Sequence, residues 1–193
     1  MFDTREVPAA TRFHYAGAET EVLGLVIANA VKMSLAAYTQ SRIWQPLGAE
    51  ADAMWAIDGT GHEVAYCCFT ATLRDWARLA LMLAHDGEWN GKQIVPRQWL
   101  LDATTVAPGD DYLAPRKATR FYGYGYQLWI FPGAKRQFAL LGIHGHAIFV
   151  DPESKLVLVH TAVREKPTGD PGGNELIALW QALAGGGRMT VRH

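Results

Sequence analysis

Apolar residues recur at steps of three and four after Glu19: Val22, Leu23, Val26, Ile27, Ala30 and Val31. That spacing predicts a helix with one apolar face. Ser34 reads as the N-cap of a second helix carrying Leu35, Tyr38 and Ile43, which Pro46 and Gly48 are expected to stop. A loop of mixed chemistry follows over residues 49–70. Thr72, with Asp75 three residues on, forms a weak capping box for a third helix. Its stripe is Leu73, Trp76, Leu79, Ala80 and Leu83, and Gly87 ends it. Asn90-Gly91 predicts a turn, and Pro96 sits where the first turn of a helix tolerates proline, before Trp99 and Leu100. Residues 107–122 read as a loop.

The period then changes. Residues 126–131, 138–141 and 146–150 are aromatic, β-branched or leucine-rich and predict strands. Asp151-Pro152-Glu153-Ser154 predicts a turn, and residues 155–162 the returning strand. Residues 174–184 close the pattern as a helix with Leu176, Ile177, Leu179, Trp180 and Leu183. Helices, an antiparallel meander and a last helix make an α+β layout. An antiparallel sheet of about three strands is small for such apolar strands, which want more neighbours. Residues 1–12 are expected to be a polar tail, 13–184 the folded portion and 185–193 a second tail.

Composition narrows the function classes. The 193 residues suit one domain or part of a larger one. Eighteen basic and nineteen acidic residues leave a formal net charge of −1, so no nucleic-acid footprint is expected. Polar residues and glycines interrupt the apolar runs before they reach a membrane span, so no membrane association is expected. No basic-then-apolar leader opens these residues, which leaves the compartment unassigned and cytoplasmic by default. Cys67 and Cys68 are adjacent; such cysteines rarely bridge and cannot staple a fold.

Several familiar motifs fail. Gly91-Lys92 is followed by Gln93, so no phosphate-cradling loop forms there. Gly123 and Gly125 lack a third glycine, and no Gly-x-Ser-x-Gly elbow occurs. His62-Glu63 has no second histidine at the zinc-protease spacing. His144 and His146 would share one face of a strand. If Val150 pairs with Lys155, His146 pairs with Val159 and His160 points to the other face. Strand parity therefore disfavours a three-histidine metal site, and neither a metal nor a cofactor is expected. Trp44, Trp55, Trp89, Trp99 and Trp129 suit either a core, a pocket or a partner interface.

Five segments, in order, resemble the C-terminal half of the serine β-lactamase-like family, nearest to class C β-lactamase-related and 6-aminohexanoate-dimer hydrolases. They are Phe13-His14-Tyr15-Ala16-Gly17-Ala18-Glu19-Thr20-Glu21-Val22-Leu23-Gly24; Ile43-Trp44-Gln45-Pro46-Leu47-Gly48-Ala49; Thr70 to Arg78 with Asp86 to Pro96; Tyr124-Gly125-Tyr126-Gln127-Leu128-Trp129; and Gly142-Ile143-His144-Gly145-His146 leading to Val150-Asp151-Pro152. The resemblance implies a partial β-lactamase/transpeptidase-like fold with its N-terminal half absent. It also implies hydrolysis of amides or esters through an acyl-enzyme. In that chemistry a Ser-x-x-Lys serine is the nucleophile, a tyrosine is general base and acid, and a backbone N–H after a Lys-Thr-Gly strand completes the oxyanion hole.

By this resemblance Tyr15 is the catalytic tyrosine; its other reading is a packing residue where the helix begins. Gly17 stands where the family often has Asn or Ser, so a side-chain polar contact is lost. Leu140-Leu141-Gly142 aligns with the Lys-Thr-Gly strand. Ile143 then supplies the oxyanion-hole amide, which needs no particular side chain. His144 lines the pocket or is a solvated strand-end histidine. The absent charged residue argues against β-lactamase activity more than against hydrolysis.

The nucleophile is missing. The serines are Ser34, Ser41 and Ser154, and Ala37, Trp44 and Val157 stand three residues after them. No lysine has Ser, Thr or Cys three residues before it. The expectation is a C-terminal portion that is inactive alone. Its implied partners are a small amide or ester substrate in the full-length parent, and either a second copy or a chain bringing the N-terminal half. The alternative is a binding or complementation module.

Overall fold

The computed structural model describes residues 6–169 and 172–185. Both ends of the expected tails therefore lie outside the described residues. Helix α1 (Gly17–Val31) is followed by α2 (Leu35–Thr39), a π turn over Gln40–Trp44 and α3 (Gln45–Leu47). Ser34 caps α2 as expected, its hydroxyl accepting from Ala37 N–H at 3.1 Å. Pro46 does not stop the helix. Gln45 N–H reaches back to the carbonyl of Gln40, a wide turn that carries the chain past a residue with no N–H to donate. Gly48, at φ 64°, then ends it.

Two short strands, β1 (Met54–Trp55) and β2 (Phe69–Thr70), pair as a hairpin with a long tip. The capping box at Thr72 is present and opens α4 (Leu73–Ala84): Asp75 N–H donates to the Thr72 hydroxyl, which donates back to the Asp75 carboxylate. Asn90 and Gly91, at φ 49° and 75°, turn β3 (Glu88–Trp89) into β4 (Lys92–Gln93). Pro96 is the N-cap of α5 (Arg97–Thr104), one position before the first turn.

The main sheet has five antiparallel strands, more than the roughly three expected: β5 (Gly123–Gly125), which adds to the four predicted segments, β6 (Leu128–Ile130), β7 (Phe138–Leu141), β8 (Ala147–Asp151) and β9 (Leu156–His160), in that spatial order. The expected strand over 126–131 begins as a tight turn, because Tyr126 and Gln127 sit at φ 35° and 68°. Neither residue type announces such a turn.

Val150 pairs with Val157, two residues from the expected register. The Asp151 carboxylate explains this. It accepts from Glu153 N–H, Ser154 N–H and the Gln137 amide, so the turn starts after Asp151, which stays in the ladder. A shift of two preserves strand parity.

Side chains alternate across this sheet. Phe138, Ile148 and Val150 face Ala80, Leu83, Leu100 and Ala103 from α4 and α5. Ala139 and Phe149 face Leu176 and Trp180 of α6 (Gly172–Ala184). Helices thus cover both faces. Helix α1 departs from this pattern: Val22, Leu23, Leu25 and Val26 remain exposed. No single helix among the described residues is long and apolar enough to cross a membrane, and α1 is bent 72° from the helix after it.

Candidate functional site

Strand direction decides which groups can meet. The β5–β6 turn lies at one end of the sheet. Strand β6 runs away from that end and β7 returns to it, so residues 142–146, which join β7 to β8, also lie there. Helix α1 is tied to the same end, since Thr20 Oγ1 donates to Gln127 Oε1 at 3.1 Å, and Tyr124 donates to that oxygen at 2.8 Å. Tyr15 precedes α1 by two residues. Its ring centroid is 5.2 Å from Trp129 and 5.9 Å from Tyr124.

Tyr124 and Trp129 are direct cross-strand partners. With Phe13 they form an aromatic wall on which Tyr15 leans. Tyr15 itself is 51% exposed. Its ring is therefore held against the wall while the residue stays half-exposed. Burial, then the nearby Tyr15 and Glu19, push the Tyr124 phenol well above its ordinary range, so Tyr124 stays a neutral donor. Tyr122, behind the wall, is pushed up to about 12 by burial.

Gly17 is not sterically required. The Tyr66 ring lies 3.5 Å from where a side chain would begin, an ordinary contact. The polar group often found there in the family is simply absent, and Tyr66 covers the position.

The second half of the site is the turn after β7. Gly142 N–H donates to the His146 carbonyl at 2.9 Å. Ile143 follows, and its N–H has no acceptor among the described residues. That is the state an oxyanion donor needs. His144 is not on a strand: it sits in a 3₁₀ turn at φ 58°, a left-handed conformation. The expected shared face with His146 is therefore lost.

Neighbouring residues hold the strained turn. His144 N–H donates to the Pro167 carbonyl, and Arg164 N–H to the His144 carbonyl, both at 3.0 Å. His144 Nδ1–H donates to the Arg164 carbonyl at 2.7 Å, which leaves Nε2 as the lone-pair nitrogen. His144 is thus fixed in orientation while staying half-buried. His160 pairs with Ala147 and gives its Nδ1–H to the Gly145 carbonyl at 2.8 Å. No group of three or more His, Cys, Asp or Glu among the described residues is placed to hold a metal ion.

Sequence reasoning missed the wall and the clamp. The pairing of Tyr124 with Trp129 was hidden because the two left-handed residues of the turn, Tyr126 and Gln127, are neither glycine nor asparagine. The clamp by Arg164 and His160 depends on contacts across 15 to 20 residues. Among the other tryptophans, Trp44 is core, Trp55 and Trp89 donate to backbone carbonyls, and Trp99 is exposed against Tyr126.

The adjacent cysteines are bridged, contrary to expectation, with Cα atoms 3.8 Å apart. The bridge closes within one loop and links no separate elements.

Comparison with known proteins identifies the family and the fold. The β-lactamase family model matches residues 4–182. The 6-aminohexanoate-dimer hydrolase of Paenarthrobacter ureafaciens is 25% identical over 150 residues, 76% of this chain and 38% of that protein. A Bacillus anthracis structure provisionally named a 6-aminohexanoate-dimer hydrolase is 31% identical with a TM-score of 0.80, over 94% of this chain and 47% of that one. A Mycobacterium bovis β-lactamase shares the fold at 24% identity and TM-score 0.65, over 90% of this chain and 66% of that one. The chain thus spans less than half the length of the first two relatives. With the Tyr15 turn, the whole sheet and most of α6 inside the matched span, the chain belongs to the β-lactamase-like serine hydrolase family.

Proposed function

We propose that this chain supplies the tyrosine and the oxyanion donor of a serine hydrolase that cleaves amides or esters through an acyl-enzyme. The observation that carries this reading is the shared sheet end: half-exposed Tyr15 on its aromatic wall, and in a clamped turn the Ile143 amide, which has no acceptor among the described residues. Tyr15 acts as base and acid, Ile143 N–H stabilises the developing oxyanion, and His144 borders the substrate. A cation beside Tyr15 is needed for a phenol of ordinary pKa near 10 to act as a base at neutral pH. The Ser-x-x-Lys lysine has that role, and the serine of that motif is the nucleophile.

Neither residue is among these 193, so the chain alone does not turn over. The nucleophile comes from polypeptide that packs on the outward face of α1, where Val22, Leu23, Leu25 and Val26 stand exposed. Self-association through that face is the second reading, favoured by the same residues.

The test is reconstitution. The chain is co-expressed with the portion of the Bacillus anthracis relative that it does not match, and chromogenic ester hydrolysis is measured. Hydrolysis that disappears with Tyr15→Phe supports the reading. Hydrolysis that survives the substitution removes Tyr15 from the mechanism.

A further inference from the structure

Cys67 and Cys68 close a disulfide inside the β1–β2 hairpin, next in sequence to Tyr66, whose ring lies against Gly17. Adjacency fixes their Cα atoms 3.8 Å apart, below the usual disulfide span of about 4.4–6.8 Å. Disulfides outside that span are the more easily reduced ones. Cys68 is exposed, at φ 70°, a conformation unusual for a residue with a side chain. A thiol reductant therefore has access to the bond.

The backbone around the pair is read by its neighbours. Trp55 Nε1–H donates to the carbonyls of Val64 and Cys67, at 2.9 and 3.1 Å. Ala56 N–H donates to the Cys68 carbonyl at 3.1 Å. Ala65 N–H donates to Glu21 of α1 at 2.8 Å. Tyr66, immediately before the pair, lies against Gly17. A change in the peptide between the two cysteines thus reaches α1 through the two residues just before them, Ala65 and Tyr66.

We propose that Cys67–Cys68 is a redox-reversible site, with small dithiols or dithiol proteins as its reductants, whose state sets how Tyr66 seats on the Tyr15–Gly17 turn. A reductant thiolate attacks the Cys68 sulfur and the Cys67 sulfur leaves as a thiolate that takes up a proton. The second thiol of the reductant then attacks the mixed disulfide and releases Cys68, also protonated. Two electrons and two protons pass to the protein, and the reductant leaves as its own disulfide. The consequence for catalysis rests on the proposed role of Tyr15; the redox chemistry does not.

The experiment uses the chain purified without reductant. N-ethylmaleimide under native conditions is expected to leave its mass unchanged. After dithiothreitol it should add two labels, and after removal of dithiothreitol and treatment with oxidised glutathione, none. The Trp55 indole and Gly17 amide signals in a ¹⁵N correlation spectrum should move between the two states. They should stay put when a Cys67→Ala, Cys68→Ala chain meets the same reagents. Labelling before reduction that persists after the oxidant overturns the proposal, as does a bridge between two chains. A cycling pair with an unmoved Gly17 amide overturns the coupling to the Tyr15 turn. Tyr15→Phe should cycle unchanged, so failed cycling indicts the pair and not the tyrosine.

Discussion

In the proposed mechanism Ile143 acts through an atom that every residue but proline carries. Ile143→Pro deletes the amide hydrogen, and the site tolerates the ring: Gly142 is extended and Ile143 opens a helical turn. In the reconstituted hydrolase this substitution should lower kcat about a hundred- to a thousand-fold, while the melting transition stays cooperative. Little loss of kcat would place the oxyanion elsewhere. Gly17 and Gly24 give a matched pair of tests. A Cβ at Gly17 meets ordinary contacts, whereas one at Gly24 would lie 2.4 Å from the Ala65 Cβ. Gly24→Ala should cost about 1–3 kcal/mol in urea denaturation, despite alanine's helix preference. Gly17→Ser should leave the fold intact. Equal behaviour of the two would contradict the packing of α1 on residue 65.

The start of α4 shows an element set by one buried carboxylate. Asp75 is 1% exposed. Burial penalises its charge, yet donors from Glu50 N–H, Thr72 and Arg78 outweigh this and hold its pKa below the ordinary value. Asp151 is held low in the same way by Gln137 and the turn amides, against its burial. The folded state therefore binds fewer protons than the unfolded state in acid. The stabilisation is complete above the unfolded carboxyl value of about 4, and is lost as pH falls through the lower folded values. Urea midpoints measured from pH 7 down to 3 should fall in that window, and fall less steeply for Asp75→Asn. A midpoint that rises on acidification would contradict this. Thr72→Ala should cost about 1 kcal/mol at neutral pH.

The same element explains what was legible in the sequence. The caps at Ser34 and Thr72, and the Asn90-Gly91 turn, use local chemistry that a short window contains. The β5–β6 turn does not, because Tyr126 and Gln127 are held left-handed by the strands they join. Pro46 misled because the π turn that accommodates it is a backbone solution with no residue signature. The register at Asp151 depended on Gln137, fourteen residues earlier. At the site, Tyr15, Ile143 and His144 were reachable through motif resemblance. Their supports were not: the aromatic wall, Arg164 and His160 act through contacts distant in sequence.

At the scale of the molecule, a sheet covered on both faces coexists with a first helix that buries little of its apolar surface. Gly24 is its one buried residue. Large exposed apolar patches mark association surfaces. The chain should self-associate at micromolar concentration when no polypeptide covers α1, and Val22→Lys with Val26→Glu should shift it toward monomer in sedimentation velocity. A monodisperse wild-type monomer would remove this face from the account.

In the proposed hydrolase labour is divided: these residues hold the tyrosine and the oxyanion donor, and the nucleophile lies outside them. The most direct measurement is incubation of the purified chain with a fluorophosphonate probe and a chromogenic ester, beside Tyr15→Phe. The expected result is no covalent adduct by intact mass and no turnover from either protein. A stoichiometric adduct, or turnover lost on Tyr15→Phe, would show that a residue within this chain replaces the serine, and would contradict it.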